Sequence, residues 1–375
     1  ERQRRVREWA NAAPLTRAEL RDTAVGIITS GINYQYVREV APTASVLKLG
    51  LVYPLPLEAI RAFAARVETL YVVEELDPII EEQLAAAGIA VIGKERFPPL
   101  GEFTPAVVAT GLGLPAAELP TLELPTRPPA MCPGCPHRGV FWTLKKLGVT
   151  VAGDIGCYTL GVAPPLSAMD TCVCMGASIG VAHGLERAGI NPATVVGVIG
   201  DSTFLHSGIT PLLDMVYNGS RGTILILDNG TTAMTGRQEH AGTGKTLTGA
   251  EAPRVDLEAL CRVLGVPDVD VIDPYALDAM EARIKQALAF EGVSVIIARR
   301  PCMLIPHEDY PAQQVNEELC KLCGRCLRIG CPAITKTPVG EGEQPRSRPE
   351  INALLCEGCA VCAQLCPFAV ITNTV

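Results

Sequence analysis

Eight of the fifteen cysteines lie from Cys320 onward, and none precedes Cys132. They form two runs. Cys320-x2-Cys323-x2-Cys326 is followed by Cys331-Pro332, and Cys356-x2-Cys359-x2-Cys362 by Cys366-Pro367. Two-residue gaps let three thiolates wrap one face of a cubane. The proline then turns the chain so that the distant fourth cysteine reaches the other cluster. The spacing predicts one [4Fe–4S] cluster on Cys320, Cys323, Cys326 and Cys366, and a second on Cys356, Cys359, Cys362 and Cys331. A pair of zinc sites is the competing reading, but tandem runs ending in Cys-Pro are poor zinc-ribbon spacing. Four residues separate Cys326 from Cys331 where three are usual. A chain of this size with clustered thiols is not a secreted disulfide scaffold, so a reducing, cytoplasmic setting is expected.

A second group of residues suits a metal and a phosphate. Gly200-Asp201-Ser202 ends the apolar run VVGVIGD, and Asp228-Asn229 ends TILILDN. An acid and an amide at two strand ends of a parallel sheet stand where open α/β sheets bind ligands. Their oxygens are hard ligands suited to Mg²⁺, which recruits phosphate oxygens. The pattern resembles the diphosphate-binding motif of thiamine diphosphate enzymes, a GDG followed by an Asn some thirty residues on. The resemblance assigns Mg²⁺ to Asp201, Asn229 and the carbonyl of Thr231, with Gly200 and Ser202 against the diphosphate. Ser202 stands where the motif's last Gly is usual. An ordinary strand-end turn is the competing reading. MGASIGVAHGLERAG, from Met175, predicts a helix whose first amides, at Gly176 and Ser178, are placed to meet the diphosphate.

Nearby polar residues each have two readings. His206 either sits over the cofactor or faces solvent at a helix start. His137 and Arg138 either hold the diphosphate or a substrate carboxylate, or merely cap the helix GVFWTLKKLG. His240 lies in a Gly-rich loop of the kind that covers active sites. Gly242-Thr243-Gly244-Lys245-Thr246 lacks the full P-loop frame, because Glu239 stands at the first Gly position, and it reads as a loop. Cys172, Cys174 and Cys261 lie in apolar text and read as packing residues.

From Ala24 the text alternates strand and helix, and a second α/β block runs from about Ala130 to Arg300 with strong strands at VVGVIGD and TILILDN. AVGIITSG, SVLKLGLVYPLP, TLYVVEE and AVIGK read as strands, and EAIRAFAARV and IIEEQLAAAGI as helices, the signature of a parallel sheet covered on both faces. The expected fold is α/β: two doubly wound parallel-sheet domains and a small α+β two-cluster domain. Their boundaries are 1–114, a Pro-, Leu- and Glu-rich linker at 115–129, 130–308, and 309–375, with IPHEDYPAQQ as the bridge into the tail. With 48% hydrophobic and 19% charged residues the chain is globular rather than disordered. Its net charge of -8 argues against nucleic acid, and Arg2, Arg4, Arg5 and Arg7 read as a solvated helix face. No apolar run reaches membrane-spanning length. The chain opens on Glu1, so preceding sequence is expected.

Met131-Cys132-Pro133-Gly134-Cys135-Pro136-His137-Arg138, Gly153-Asp154-Ile155-Gly156-Cys157, NGTTAMTG and the cysteine tail together resemble the indolepyruvate:ferredoxin oxidoreductase alpha-subunit family, within the 2-oxoacid:ferredoxin oxidoreductase superfamily. The resemblance covers the whole chain. It implies a transketolase C-terminal-like domain, a thiamine diphosphate-binding domain and a ferredoxin-type domain, in that order. It also implies that the pyrimidine-binding domain, with its cofactor-activating glutamate, precedes this sequence. A third, proximal [4Fe–4S] cluster is implied on Cys132, Cys135, Cys157 and Cys302, against the alternative of a thiol pair and a buried Cys302. The implied reaction is thiamine-dependent oxidative decarboxylation of an arylpyruvate. Electrons would pass singly through the clusters to ferredoxin, and the acyl fragment to coenzyme A. A beta subunit and a heterotetramer are the implied partners, and Lys321, Arg325 and Arg328 are candidates for ferredoxin docking.

Overall fold

The computed structural model describes residues 1–116, 123–126, 128–305, 310–339 and 346–374. Parts of the 115–129 linker and of the IPHEDYPAQQ bridge lie outside these described residues. The chain divides into two compact units, Glu1–Pro125 and Thr126–Val375, and the cysteine-dense tail belongs to the second.

The first unit holds strands β1 (Arg17–Glu19), β2 (Asp22–Ser30), β3 (Ala44–Leu49) and β4 (Thr69–Val73), in the order β1-β3-β2-β4. β2, β3 and β4 run parallel, while β1 pairs antiparallel with β3. This sheet is therefore mixed at its edge, where a purely parallel one was expected. Side chains alternate between two cores because successive residues of a strand face opposite ways. Ile28, Leu47 and Val72 enter one core, and Ile27, Val46 and Val73 the other. The AVIGK segment contributes one bridge, Ile92 to Tyr71, rather than a full strand. The Arg-rich start is the helix Arg2–Ala12, with its arginines at the surface, as a solvated face requires.

The second unit is built on six parallel strands: β5 (Thr150–Gly153), β6 (Thr171–Cys172), β7 (Val195–Gly200), β8 (Gly222–Asp228), β9 (Asp268–Ile272) and β10 (Val293–Arg299). Their order is β6-β5-β7-β8-β10-β9. The three central strands are apolar almost throughout because both faces are covered. Val196, Val198, Leu225, Leu227 and Ile296 pack with helices His137–Leu147 and Leu277–Ala289. Ile199, Ile224, Ile226, Val295 and Ile297 pack with helices Ala177–Arg187, Ile209–Tyr217 and Leu257–Val263. Gly200 stands opposite Leu227, which brings Asp201 level with Asp228 at the carboxyl edge. The tail adds two antiparallel pairs, β11 (Gln313–Val315) with β14 (Ile371–Asn373) and β12 (Ile334–Val339) with β13 (Arg346–Ile351). Its core joins Cys326, Ile329, Val361 and Ile371 to Tyr275 and Leu277. Among the described residues no helix is long and apolar enough to cross a membrane.

Candidate active site

At the carboxyl edge of the six-stranded sheet a cavity is lined by His137, Gly156, Cys157, Tyr158, Gly200, Asp201, Ser202, Asn229 and Thr231. Asp201, Asn229 and Thr231 are all buried. Backbone amides hold the Asp201 carboxylate: Ser202 N–H donates to Oδ1 at 2.7 Å and Gly230 N–H to Oδ2 at 2.9 Å. Asn229 is fixed at both ends of its amide. Oδ1 accepts from Thr231 N–H at 3.2 Å, and Nδ2 meets His137 Nε2 at 3.4 Å. Burial pushes His137 down to about 4, against the pull of Asp201, so at neutral pH the ring is uncharged and its Nε2 accepts from the Asn229 amide. Ser202, where a Gly was usual, uses its extra oxygen to accept from Thr232 Oγ1 at 2.8 Å, tying the loop after Asn229 to the loop after β7.

Asp201 is the carboxylate among the residues lining this cavity. The Asp228 carboxyl lies beside Asp201 and is raised, first by burial and then by that neighbour, while Arg299 opposes at 2.7 Å. The Asp201 carboxylate, the Asn229 amide oxygen and the Thr231 carbonyl are hard oxygen donors that favour a divalent cation. The residues present fit Mg²⁺.

Twelve cysteines fall into three sets. Cys331, Cys356, Cys359 and Cys362 line one cavity, and Cys320, Cys323, Cys326 and Cys366 another. These are the two quartets predicted by spacing. Burial pushes Cys359 up to about 11, with Cys331 and Cys356 adding to the effect. Burial likewise takes Cys326 to about 11, with Cys323, Cys366 and Cys320 adding to it. The third set is also brought together. Cys135 is pushed up to about 12, first by burial, with Cys132 and Cys302 acting on it, and Cys157 is raised by burial, Cys302 and Cys132. Crowded, buried thiols resist ionising unless a cationic centre compensates, so the sets suit a multi-iron core. Among the described residues no group of three His, Cys, Asp or Glu side chains is set to hold one metal ion.

The third set adjoins the first cavity. Cys157 lines that cavity, and Cys302 N–H donates to the carbonyl of Asn229 at 2.9 Å.

Several expectations are corrected by the structure. His206 is exposed, contacts Ser207 Oγ at 3.1 Å and does not line the cavity. It lies in the π-helical turn Phe204–Gly208, and five helical residues from Asp201 do not return to the same face. Gly176 and Ser178 N–H groups donate not to the cavity but to the Asp154 carboxylate, at 2.8 and 3.1 Å. Gly176 has φ +88, and a Cβ there would stand 2.2 Å from Ser207 Oγ, so only glycine makes this turn. Arg138 directs four of its five N–H groups to backbone carbonyls of Met131, Cys132, Ile329 and Gly330 and does not line the Asp201 cavity. Cys172 and Cys174 are exposed because β6 is a two-residue edge strand, whereas Cys261 is buried in the core.

Asp154 and the role of His240 escaped the sequence reading. His240 Nδ1 accepts from Gly242 N–H at 3.1 Å, so its proton sits on Nε2, which faces Asp201 Oδ2 at 3.3 Å. The signal for Asp154 was present: β5 ends in Gly-Asp as β7 does.

Residues 154–298 match the C-terminal TPP binding domain of the thiamine pyrophosphate enzymes. The chain is 37% identical over 413 residues to the indolepyruvate oxidoreductase subunit IorA of Pyrococcus horikoshii, covering 97% of this chain and 63% of that protein. It is a relative of the IorA subunits. The IorA of Methanothermobacter marburgensis is likewise 37% identical over 403 residues, covering 99% of this chain and 63% of its own length. The chain thus spans about 63% of the length of these IorA relatives. Among solved structures, 2-oxoglutarate:ferredoxin oxidoreductase from Magnetococcus marinus matches with a TM-score of 0.40 at 19% identity, over 50% of this chain and 67% of that one. That likeness is too slight to build on.

Proposed function

We propose that this chain is the catalytic alpha subunit of an arylpyruvate:ferredoxin oxidoreductase, using thiamine diphosphate, Mg²⁺ and three [4Fe–4S] clusters. It converts an arylpyruvate such as indolepyruvate to the aryl-acetyl-CoA with electron transfer to ferredoxin, working with a beta subunit in a heterotetramer. One observation carries the reading: Cys157 belongs both to the cavity of Asp201, Asn229 and Thr231 and to the thiol set with Cys132, Cys135 and Cys302. A site for an organic cofactor thereby adjoins a site for a one-electron centre.

Bound thiamine diphosphate supplies the electron sink for decarboxylation, Mg²⁺ neutralises its diphosphate, and the clusters accept electrons one at a time. The chain's own residues do the positioning. Asp201, Asn229 and the Thr231 carbonyl would hold the cation. His137, kept neutral by burial, accepts from the Asn229 amide and so turns Oδ1 to the other side. Cys132, Cys135, Cys157 and Cys302 would hold the nearest cluster, with the Cys331 set next and the Cys320 set last. The division proposed for these roles is 1–114, 130–308 and 309–375.

The test is a cofactor count on the full-length protein with its partner subunit. It should carry about twelve irons per chain, four for each cubane, and one thiamine diphosphate. Asp201→Asn should lower thiamine diphosphate affinity at least about tenfold in the presence of Mg²⁺ and leave iron unchanged. Wild-type protein that holds iron but no thiamine diphosphate would sink the catalytic reading.

A further inference from the structure

Arg138 is an unusual place for a charge. It is 5% exposed and sits in the first turn of helix His137–Leu147, where the helix dipole disfavours a cation. Four of its five N–H groups are nevertheless engaged. Nε donates to Cys132 O at 3.2 Å, one Nη to Ile329 O at 3.1 Å and Gly330 O at 2.7 Å, and the other Nη to Met131 O. Two of these carbonyls belong to the loop that carries Cys132, and two to the loop that ends at Cys331. With Cys135, Arg138 also lines the cavity enclosed by Cys331, Cys356, Cys359 and Cys362.

The longer Cys326–Cys331 gap has its explanation here. The turn Cys326–Ile329 ends on Gly330 at φ +68. A Cβ on Gly330 would meet Pro165 at 2.6 Å. The additional residue is thus spent on a glycine turn that presents two successive carbonyls to Arg138. A residue serving only as a helix cap would need neither loop.

We propose that Arg138 is a positioning residue of the electron path: it clamps the Cys132 and Cys331 loops together and holds a permanent positive charge between the two clusters they carry. The inference rests on the function proposed above. A cluster on four thiolates is anionic and becomes more so on reduction, so a fixed cation beside it favours the reduced form. A cluster held by the Cys132 set would give one electron, becoming oxidised, to a cluster held by the Cys331 set, which would be reduced. The electron would then pass to the Cys320 set and to an external one-electron acceptor. Arg138 stays charged throughout, and no proton moves.

The experiment is a redox titration of the full-length protein with its partner subunit, followed by electron paramagnetic resonance, on wild type, Arg138→Gln and Arg138→Lys. With iron retained, R138Q should make both adjoining clusters at least tenfold harder to reduce, 59 mV for one electron. The cluster on Cys320, Cys323, Cys326 and Cys366 should shift by less than threefold. R138K keeps the charge and should hold all three within about threefold of wild type, while transfer between the first two clusters slows at least threefold after flash photoreduction. Iron-replete R138Q with unmoved potentials, or with all three moved equally, overturns the proposal. Should R138Q lose iron, R138K decides: unchanged transfer, or potentials displaced tenfold, also overturns it. Absence of iron from the wild type would instead sink the proposed function, with Arg138 unaffected as a structural clamp.

Discussion

Asp154 and Asp201 end two strands of one sheet in the same Gly-Asp pair, and their neighbours give them different work. Asp154 is wholly buried and accepts from Ile155, Gly176 and Ser178 N–H groups, so it caps helix Ala177–Arg187 from outside the helix. Asp201 accepts from two amides and keeps its carboxylate in the cavity wall. Asp154→Ala should therefore leave the two buried donors of Gly176 and Ser178 and the half-buried one of Ile155 unpaired and cost about 2–3 kcal/mol. The denaturant midpoint of the iron-loaded chain measures this, and a loss under about 0.5 kcal/mol would mean that water replaces the carboxylate. At this scale the sequence was informative wherever chemistry repeats at short spacing. The cysteine runs, Asp201 and Asn229 were legible because strand ends and two-residue gaps are local. Arg138 was not, since its carbonyl partners on the tail are some 191 and 192 residues away. His206 was misplaced because a π turn sits inside its helix, and no residue pattern in the text marks that turn.

Elements obey the same division between local and distant causes. The strands β7 and β8 were readable as apolar runs because both of their faces are buried. The exposure of Cys172 and Cys174 was not readable, since it depends on β6 lying at the sheet's edge. The opposite edge is secured by Arg283, buried on helix Leu277–Ala289, which donates to Asp268 at 2.8 Å and Asp270 at 3.0 Å. Ser294 on β10 also donates to Asp268, at 2.6 Å. Arg283→Gln should destabilise the second unit by about 2 kcal/mol, less than for a fully buried pair because both acids remain partly exposed. Burial alone would raise the Asp268 carboxyl, but Ser294 and Arg283 outweigh it and hold it below its ordinary value. Its stabilising contribution is therefore complete above the ordinary carboxylate value of about 4 and fades as pH falls through the lowered one. Unfolding curves of wild type and R283Q should converge at low pH and separate near neutrality. Equal separation at both would contradict the assignment.

Across the whole second unit, the thiol sets stand in an order that no single motif encodes. Cys157 touches the Asp201 cavity, Cys135 reaches the cavity of the Cys331 set, and Cys362 feels Cys326 of the last set. Sequence spacing assigned members to each quartet. The adjacency of the quartets needed the fold, because it arises where the start of helix His137–Leu147 meets the tail. The parallel α/β character of the second unit was legible from the apolar runs VVGVIGD and TILILDN. The antiparallel edge strand of the first unit was not, being three residues long with no apolar signature. Substrate choice belongs to this scale as well, since the chain spans only part of its IorA relatives.

The most direct test is anaerobic visible absorbance of the full-length protein with its partner subunit, before and after adding indolepyruvate and coenzyme A. The account predicts bleaching of the iron–sulfur band with indolepyruvate, and little with pyruvate or 2-oxoglutarate. No bleaching with any oxoacid, while dithionite still reduces the clusters, would contradict the coupling of the Asp201 cavity to the thiol sets.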